Sequence, residues 1–533
     1  MVKKIKENPN ISYLLRSYDT VTLKIAVLLL FIISFSFLCP GENVLRIGKP
    51  FGPSEETPDP ARGSNGWYLC EAGVLETLFE LDTNFNIIPL LARSWENISP
   101  CEWEIVLKKD VRFHDLSLMN AQSVKWAIER LIDKKSTVYN GRVRSMLNIR
   151  DISIENDSTL IFTTVAPNSF FIYNLVSPGA GIISPESNDR TIYATGPFRI
   201  RNIVPDEKMV VEKFPGYHQG VPKIDVAVLN IIKHPVTRIL AFNSGQIDIA
   251  LNYAENNIPN IRKSGDKAIS CHSTARLCFF FVRVKDGPLS DCAVRRAMNY
   301  AIDRRAIVET ILWNTGGVVG KSIFSPVIPW HNGNLAPYAY DPQEAARILD
   351  SCGIRDTDGD GIREKDGMDF TVDMWTYEGR IALKPTLELV QEFFRKVGIA
   401  AVIQVTREGS AINREMQLGK VELNLQMWNV APNGSPEFFI KRILTSDAPC
   451  NYGGYRNIRI DSLIQKAENT FDFKEKKSSI DEIQQIIYDE SPVIVLFHKS
   501  IVSAYYKNVV HFRTHPAEKK VLTHRIEKTS GRY

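Results

Sequence analysis

Two hydrophobic periods interleave along the chain. Runs with apolar residues at i, i+3, i+4 and i+7 predict helices; short β-branched or aromatic runs predict strands. Residues 44–48 read as a first strand and 73–79 as a first helix. Residues 103–107 mix apolar side chains with a charge, as a partly exposed strand does. Over 121–132, Val124, Ala127, Ile128 and Leu131 fall on one helical face, with Asn120 placed as N-cap. Segments 160–165, 209–213 and 226–232 predict strands. A helix over 236–244 stops at Gly245, a residue free to turn the chain left-handed.

A second region of the same kind opens with the apolar strand 277–282. Helices are predicted at 292–302, 304–312, 342–352 and 382–397, then a strand at 400–405. Late in the chain come helices 460–469 and 474–490 and a strand at 493–497. Strands and helices mixed over this length imply an α/β layered fold, not a sandwich or a bundle. No short repeat interrupts the pattern, which excludes solenoids and propellers.

The 533 residues are too many for one ordinary core, so two or three domains are expected. A net charge of +4, from 65 basic and 61 acidic side chains, is spread through the chain and gives no case for nucleic acid. The first 40 residues differ. A basic leader with Lys3, Lys4, Lys6, Arg16 and Lys24 runs into an uncharged stretch, 25–38. That stretch suits the apolar part of a secretory signal better than a membrane span, which needs roughly 20 apolar residues. An uncleaved signal anchor is the alternative, since no A-x-A site precedes Pro40. Cys39 stands where a lipoprotein carries its lipidated cysteine, although Leu38 before it is bulky. Each version puts the bulk of the chain outside the cytoplasm. The eight cysteines include no C-x-x-C pair, which argues against a zinc ribbon or a thioredoxin-like site. Export permits disulfides, while buried free thiols are the equal alternative.

No catalytic constellation is evident: G-x-S-x-G, H-E-x-x-H and G-x-G-x-x-G are all missing, and the nine histidines are scattered. Asp356, Asp358 and Asp360 have the 1, 3, 5 spacing of a calcium loop with Gly361 sixth, which makes them candidate ligands of a structural calcium. The twelfth place is Gly367 instead of a glutamate, so a Gly/Asp-rich turn is the alternative. No other resident cofactor is implied. His511 and His515 would suit a metal only on a helix, and the sequence around them reads as strand or loop.

Several segments resemble the extracytoplasmic solute-binding proteins of the peptide/nickel ABC importer family. Ile88-Pro-Leu-Leu-Ala-Arg-Ser-Trp95 looks like that family's "P-x-L-A-x-S-W", and 103–115 is similar to its "F-x-L-R-x-x-V-x-F-H-D-G", with Leu116 in place of the glycine. Asn120–Arg130, Thr195-Gly-Pro-Phe198, 242–248, 294–304 and 356–361 follow in family order. The resemblance implies a two-lobe, periplasmic-binding-protein-like α/β fold of type II. It places lobe I at 44–274 with an inserted subdomain at about 81–195, lobe II at 275–498, and a return to lobe I at 499–533. It also implies a monomer with no enzymatic activity, which captures a peptide, a nickel chelate or a similar small polar solute. The partners would be a membrane permease and its ATPase, with membrane contact through the N-terminus only, at the periplasm or the outer face of the cytoplasmic membrane. An exported sensory protein on the same fold, or an exported hydrolase, would be the alternatives.

Peptide binders of the family carry an acid three residues after a tryptophan; here Trp428 is followed by Ala431. The nickel branch places an arginine near 177–184, and that stretch has none. The resemblance therefore favours a compact polar solute or small chelate over a long peptide. It nominates Trp67 and Tyr68, on a cleft-facing loop before the first helix, and Trp428 as aromatic walls. Asn429 and Asn433 are the polar groups expected to orient the ligand.

Overall fold

The computed structural model describes residues 41–530 apart from Asp189, together with all side chains but that of Arg142. The signal or anchor segment and Cys39 lie outside the described residues. One eleven-stranded mixed sheet dominates. Its backbone is the antiparallel pair Lys267–Val282 and Val493–Tyr506, which joins two different neighbourhoods. At one end Val493–Tyr506 meets Ile249–Ala250, and the sheet continues through Val44–Lys49, Val226–Ile231, Lys208–Lys213 and Phe198–Val204. At the other, Lys267–Val282 pairs with Leu423–Asn429, which leads in parallel to Thr371–Tyr377 and Ala400–Thr406.

The long pair slips register between Ser273 and Arg276. Thr274 fixes the slip: its hydroxyl donates to Lys499 O at 2.7 Å and accepts from Arg276 N at 3.0 Å. A bulge bends its strand and re-aims the side chains beside it. Here it lies where the sheet passes from one neighbourhood to the other.

Separate cores flank this pair. Leu45, Ile47, Phe198, Val211, Leu229 and Leu522 belong to one, and Phe280, Met298, Leu349, Val372, Leu387 and Phe394 to another. A four-stranded antiparallel sheet, Ala92–Ser99, Glu102–Leu107, Thr159–Thr164 and Ile149–Asn156, is built from the first half of the chain. The helix Ala121–Ile132 follows its pattern: Asn120 accepts from Ser123 N at 2.9 Å, and Ser123 Oγ accepts from Asn120 N in return.

The expected helix over 73–79 is not formed. The helix lies upstream, at Asn65–Glu71, and Gly73 ends the turn with φ +65°. A Cβ there would stand 2.7 Å from Leu522 O. Beyond it Glu76 bridges to Ile182, and Phe79–Leu81 pairs with Ile87–Pro89. Leu75, Leu78 and Phe79 are all buried, and an extended chain satisfies them through these distant partners. The seven described cysteines are free thiols, with Cys278 and Cys450 buried, so they form no disulfides among themselves.

Candidate functional site

The helix Asn65–Glu71 is amphipathic in a way that builds a wall. Asn65, Gly66 and Leu69 are buried, while Ser64, Trp67, Tyr68 and Glu71 share the opposite face at i, i+3, i+4 and i+7. Gly66 permits the approach, since a Cβ there would meet Pro178 O at 2.5 Å. Trp67 and Tyr68 thus sit on the first helix itself, not on a loop before it.

Three connected chambers lie along this wall. The largest, about 480 Å³, runs from Trp67 and Ser64 past Asn174 and Ser177–Gly179 to Asn433, Glu437 and Arg442. A second, about 240 Å³, shares Ser64 and Trp67 with it and adds Tyr68, Glu71, Asn429 and His515. A third, about 250 Å³, shares Phe51, Arg276, Arg380 and Glu518 with the second. Each is lined by residues from both sides of the long strand pair, so the chambers form one trough between the two neighbourhoods of the sheet.

Charges inside the trough are held in place by each other. Trp67 Nε1 donates to Glu71 Oε1 at 3.2 Å, and the other oxygen of Glu71 pairs with Lys49, itself buried. Burial raises the Glu71 carboxyl above its ordinary range, with the Lys49 charge opposing. Lys49 also faces the Tyr68 ring, 5.0 Å from its centroid. Arg276 grips Glu518 with two bonds, Nε to Oε1 at 3.1 Å and Nη2 to Oε2 at 2.8 Å. Arg380 lies over Phe51 at 5.8 Å; the neighbouring Arg276 charge, and then burial, lower its pKa. Behind Trp67, 5.8 Å from its ring, burial pushes the Lys519 ammonium down to about 7.

The nominated residues divide. Trp67 lines both the largest chamber and the one of about 240 Å³, Tyr68 and Asn429 line the latter, and Asn433 lines the largest. Asn429 accepts from Ala431 N at 3.2 Å, and its Nδ2 is buried with no partner, a donor the protein does not use. Asn433 is engaged at both ends, donating to Asn174 Oδ1 at 2.9 Å and accepting from Ser435 N at 3.2 Å. Trp428 is not among the side chains lining the trough. Its ring packs edge-on against Phe281 at 5.5 Å and forms a seat for Arg442 at 5.6 Å.

The 177–184 wall carries no arginine, as the sequence shows, but Arg442 lines the same chamber. Glu437, nine positions after Trp428, lines it too. Its Oε2 is buried without a partner, and burial pushes its carboxyl up to about 7 against the attraction of Lys441. Lys49, Glu71, Arg276, Arg380, Glu437, Arg442 and Glu518 were not foreseen. The one local signal was Arg276 opening the otherwise apolar run 277–282.

Asp356, Asp358 and Asp360 lie far along the chain, exposed, with ligand oxygens within 4.8 Å of one another and of Glu364. Each aspartate accepts from the loop's own backbone: Asp356 from Gly359 N at 2.7 Å and Gly361 N at 3.1 Å, Asp358 from Asp360 N, Asp360 from Ile362 N. Such bonds are what turn aspartates make. His511 and His515 are not on a helix, and His515 Nδ1 accepts from Ala517 N at 3.2 Å.

A solvent-reaching trough, walled from two sides of a bulged strand pair and furnished with aromatic faces and paired charges, defines a two-lobe ligand-binding protein. The chain belongs to the bacterial extracellular solute-binding proteins, family 5, whose model matches residues 86–479. The dipeptide-binding protein of Escherichia coli K12 is 24% identical over 490 residues, 85% of this chain and 87% of that protein. The glutathione-binding protein GsiB of Salmonella choleraesuis is 25% identical over 452 residues, 82% and 85% of the two chains. Among solved structures, NikA of Brucella suis in complex with Fe(III)-EDTA superposes with a TM-score of 0.81 at 21% identity, covering 91% of this chain and all of that one.

Proposed function

We propose that this chain captures a compact polar solute or small chelate in the trough beside Trp67 and hands it to an ABC permease and its ATPase, acting as a monomer without turnover. The observation that carries this is the chamber of about 480 Å³ closed by Trp67 on one side and Asn433, Glu437 and Arg442 on the other. Its volume suits a small organic ligand, and its few polar groups converge on one space. The acid that would anchor a peptide three residues after Trp428 is replaced by Ala431. Ligands of this size occur among the relatives, two of which are named for dipeptide and glutathione and one of which holds Fe(III)-EDTA, while the AppA of Bacillus subtilis holds a nonapeptide.

The lobes divide at the register slip: 44–274 with 499–533 on one side, carrying the insertion at about 81–195, and 275–498 on the other. A solute touching both walls binds the closed state more tightly and so closes the lobes. The apolar stretch 25–38 directs export as a secretory signal, with retention as an uncleaved anchor or through a lipid on Cys39 as the alternatives, and places the protein in the periplasm or at the outer face of the cytoplasmic membrane.

A hydroxyl–imidazole pair does occur near the trough, Thr514 Oγ1 to His272 Nδ1 at 2.9 Å. It supports no hydrolase. Thr514 Oγ1 is also bonded to Ser270 Oγ at 3.0 Å, and burial, aided by Arg513, lowers the pKa of the His272 ring; no carboxylate partner orients that ring among the described residues. A general base needs such an orienting group.

Native mass spectrometry with metal analysis, on protein purified from its own host, tests the reading. One small organic mass, with or without a metal, is the expected result. A ladder of peptide masses would refute the compact-solute assignment.

A further inference from the structure

Residues 515–522 of the tail form a partition. Glu518 and Val521 line the chamber of about 240 Å³, Lys519 and Leu522 line a separate rear cavity of about 80 Å³, and His515 and Lys520 border both. The backbone is tied here at short intervals. Ala517 N donates to His515 Nδ1 at 3.2 Å, Glu518 N to His515 O at 2.8 Å, and Leu522 N to the carbonyl of Glu71, last residue of the Trp67 helix, at 3.0 Å. Glu518 itself has φ +59°, a left-handed conformation that strains a residue with a Cβ and persists only where the surroundings impose it. They do so through three successive side chains. Glu518 is held by Arg276, Lys520 pairs with Glu80 at 2.7 Å, and Lys519 between them lines the rear cavity.

Lys519 engages two walls of the largest chamber without lining it. Its Nζ donates at 3.1 Å to the carbonyl of Val176, a buried residue that leads directly into the wall 177–179. The same Nζ stands 5.8 Å from the centroid of the Trp67 ring. We propose that Lys519 is a positioning residue: from the rear cavity it holds the Trp67 ring in register with the 177–179 wall, and so sets the affinity of the trough for its solute without touching that solute. This rests on the reading that the largest chamber holds the solute. Removing the ammonium takes a donor from a buried carbonyl and a cation from an indole face. Residues that touch no ligand change affinity through such couplings by about 2- to 30-fold.

Protonation gives the role a signature. Burial pushes the Lys519 ammonium down to about 7, with Cys70 on the Trp67 helix opposing. Burial also lifts the Cys70 thiol to about 12 and the Tyr217 hydroxyl above its ordinary value. On the tail it lowers His515 to about 4 and His524 below its ordinary value. Glu76 and Glu80 border the cavity as well, the first bonded by Thr195 and Tyr217, the second paired with Lys520. From the trough side the indole meets Glu71, whose carboxyl burial raises and whose partner is Lys49.

Emission of Trp67, taken as the difference between each protein and its Trp67→Phe version, is followed across neutral pH in wild type, Lys519→Met and Glu437→Gln. A transition with its midpoint near 7 is expected in wild type and in Glu437→Gln, and none in Lys519→Met. Isothermal titration with glutathione, L-alanyl-L-alanine and Ni(II)–L-histidine is run below that midpoint. Each solute that binds wild type should bind Lys519→Met roughly threefold or more weakly. Equal affinities, a Trp67 emission that does not titrate in wild type, or a transition that survives in Lys519→Met would each overturn the proposal. Should Lys519→Met fail to fold, the emission of wild type against Glu437→Gln decides: a shared midpoint near 7 supports the role, and its loss in either protein overturns it. A wild type that binds none of the three solutes overturns capture of these solute classes, and the emission transition then decides whether Lys519 holds the wall.

Discussion

Glu437 is one of the buried residues through which pH acts on this structure, Lys519 being another. Burial, with the Glu468 charge adding and Lys441 opposing, pushes its carboxyl up to about 7, against about 4.3 in an unfolded chain. Between those values the folded state keeps a proton that the unfolded state has released. Stability therefore falls as pH rises through this window and stays lower above it. Glu437→Gln removes the titration without changing the shape. In ligand-free protein it should be more stable than wild type at pH 8, on the order of 2 kcal/mol, and equal to it near pH 4. Calorimetric melting at the two pH values checks this; a glutamine variant less stable at pH 8 would mean the carboxylate is fully compensated. Nothing in the sequence marked Glu437, because its environment is assembled from Asn174, Lys441 and Glu468 across the fold. Resemblance nominates Trp67 and Tyr68, and both line the trough; the periodicity puts the helix eight residues, about two turns, downstream of the Asn65–Glu71 helix that carries them. Trp428, nominated by the same resemblance, packs against Arg442, which lines the trough, but is not itself among the lining side chains.

At the scale of elements, what the sequence made legible is what is locally determined. The helix Ala121–Ile132 is bounded by a reciprocal cap between Asn120 and Ser123, and pattern and cap agree on its start. Asn120→Ala should cost about 1 kcal/mol, seen as a lower urea midpoint with an unchanged slope. A changed slope would mean that the cap holds more than its own helix. The segment 73–79 shows the opposite case. Its apolar spacing satisfies a helix, but Glu76 is bridged to Ile182, Thr195 and Tyr217 bond the Glu76 carboxylate, and Leu522 crowds Gly73. These partners lie more than 100 positions away, and periodicity cannot register them. The same holds for the pair Arg276 and Glu518, separated by 242 residues. The aspartates at 356, 358 and 360 are a local pattern of the other kind: each accepts a backbone N–H of its own loop, and their oxygens lie within 4.8 Å of one another and of Glu364.

For the molecule as a whole, resemblance in correct order along the chain was enough to anticipate two lobes, whereas the ligand depends on a chamber that only the folded walls define. The coupling of those walls is measurable. A solute held between Trp67 on one side and Asn433 or Arg442 on the other adds contacts that the open state cannot make all at once. Its differential affinity is then the energy of closure. At a solute concentration 100 times the dissociation constant, wild type should gain about 2.7 kcal/mol in unfolding free energy and contract in small-angle scattering. Trp67→Ala removes one wall shared by two chambers and leaves the cores untouched. It should weaken binding by roughly tenfold or more, in line with loss of a buried aromatic contact. At the solute concentration that closes wild type, the stabilisation and the contraction should shrink together. If the alanine variant kept its stabilisation and lost only the contraction, binding and closure would be separate events, and the trough would be a pocket on one lobe instead of a cleft between two.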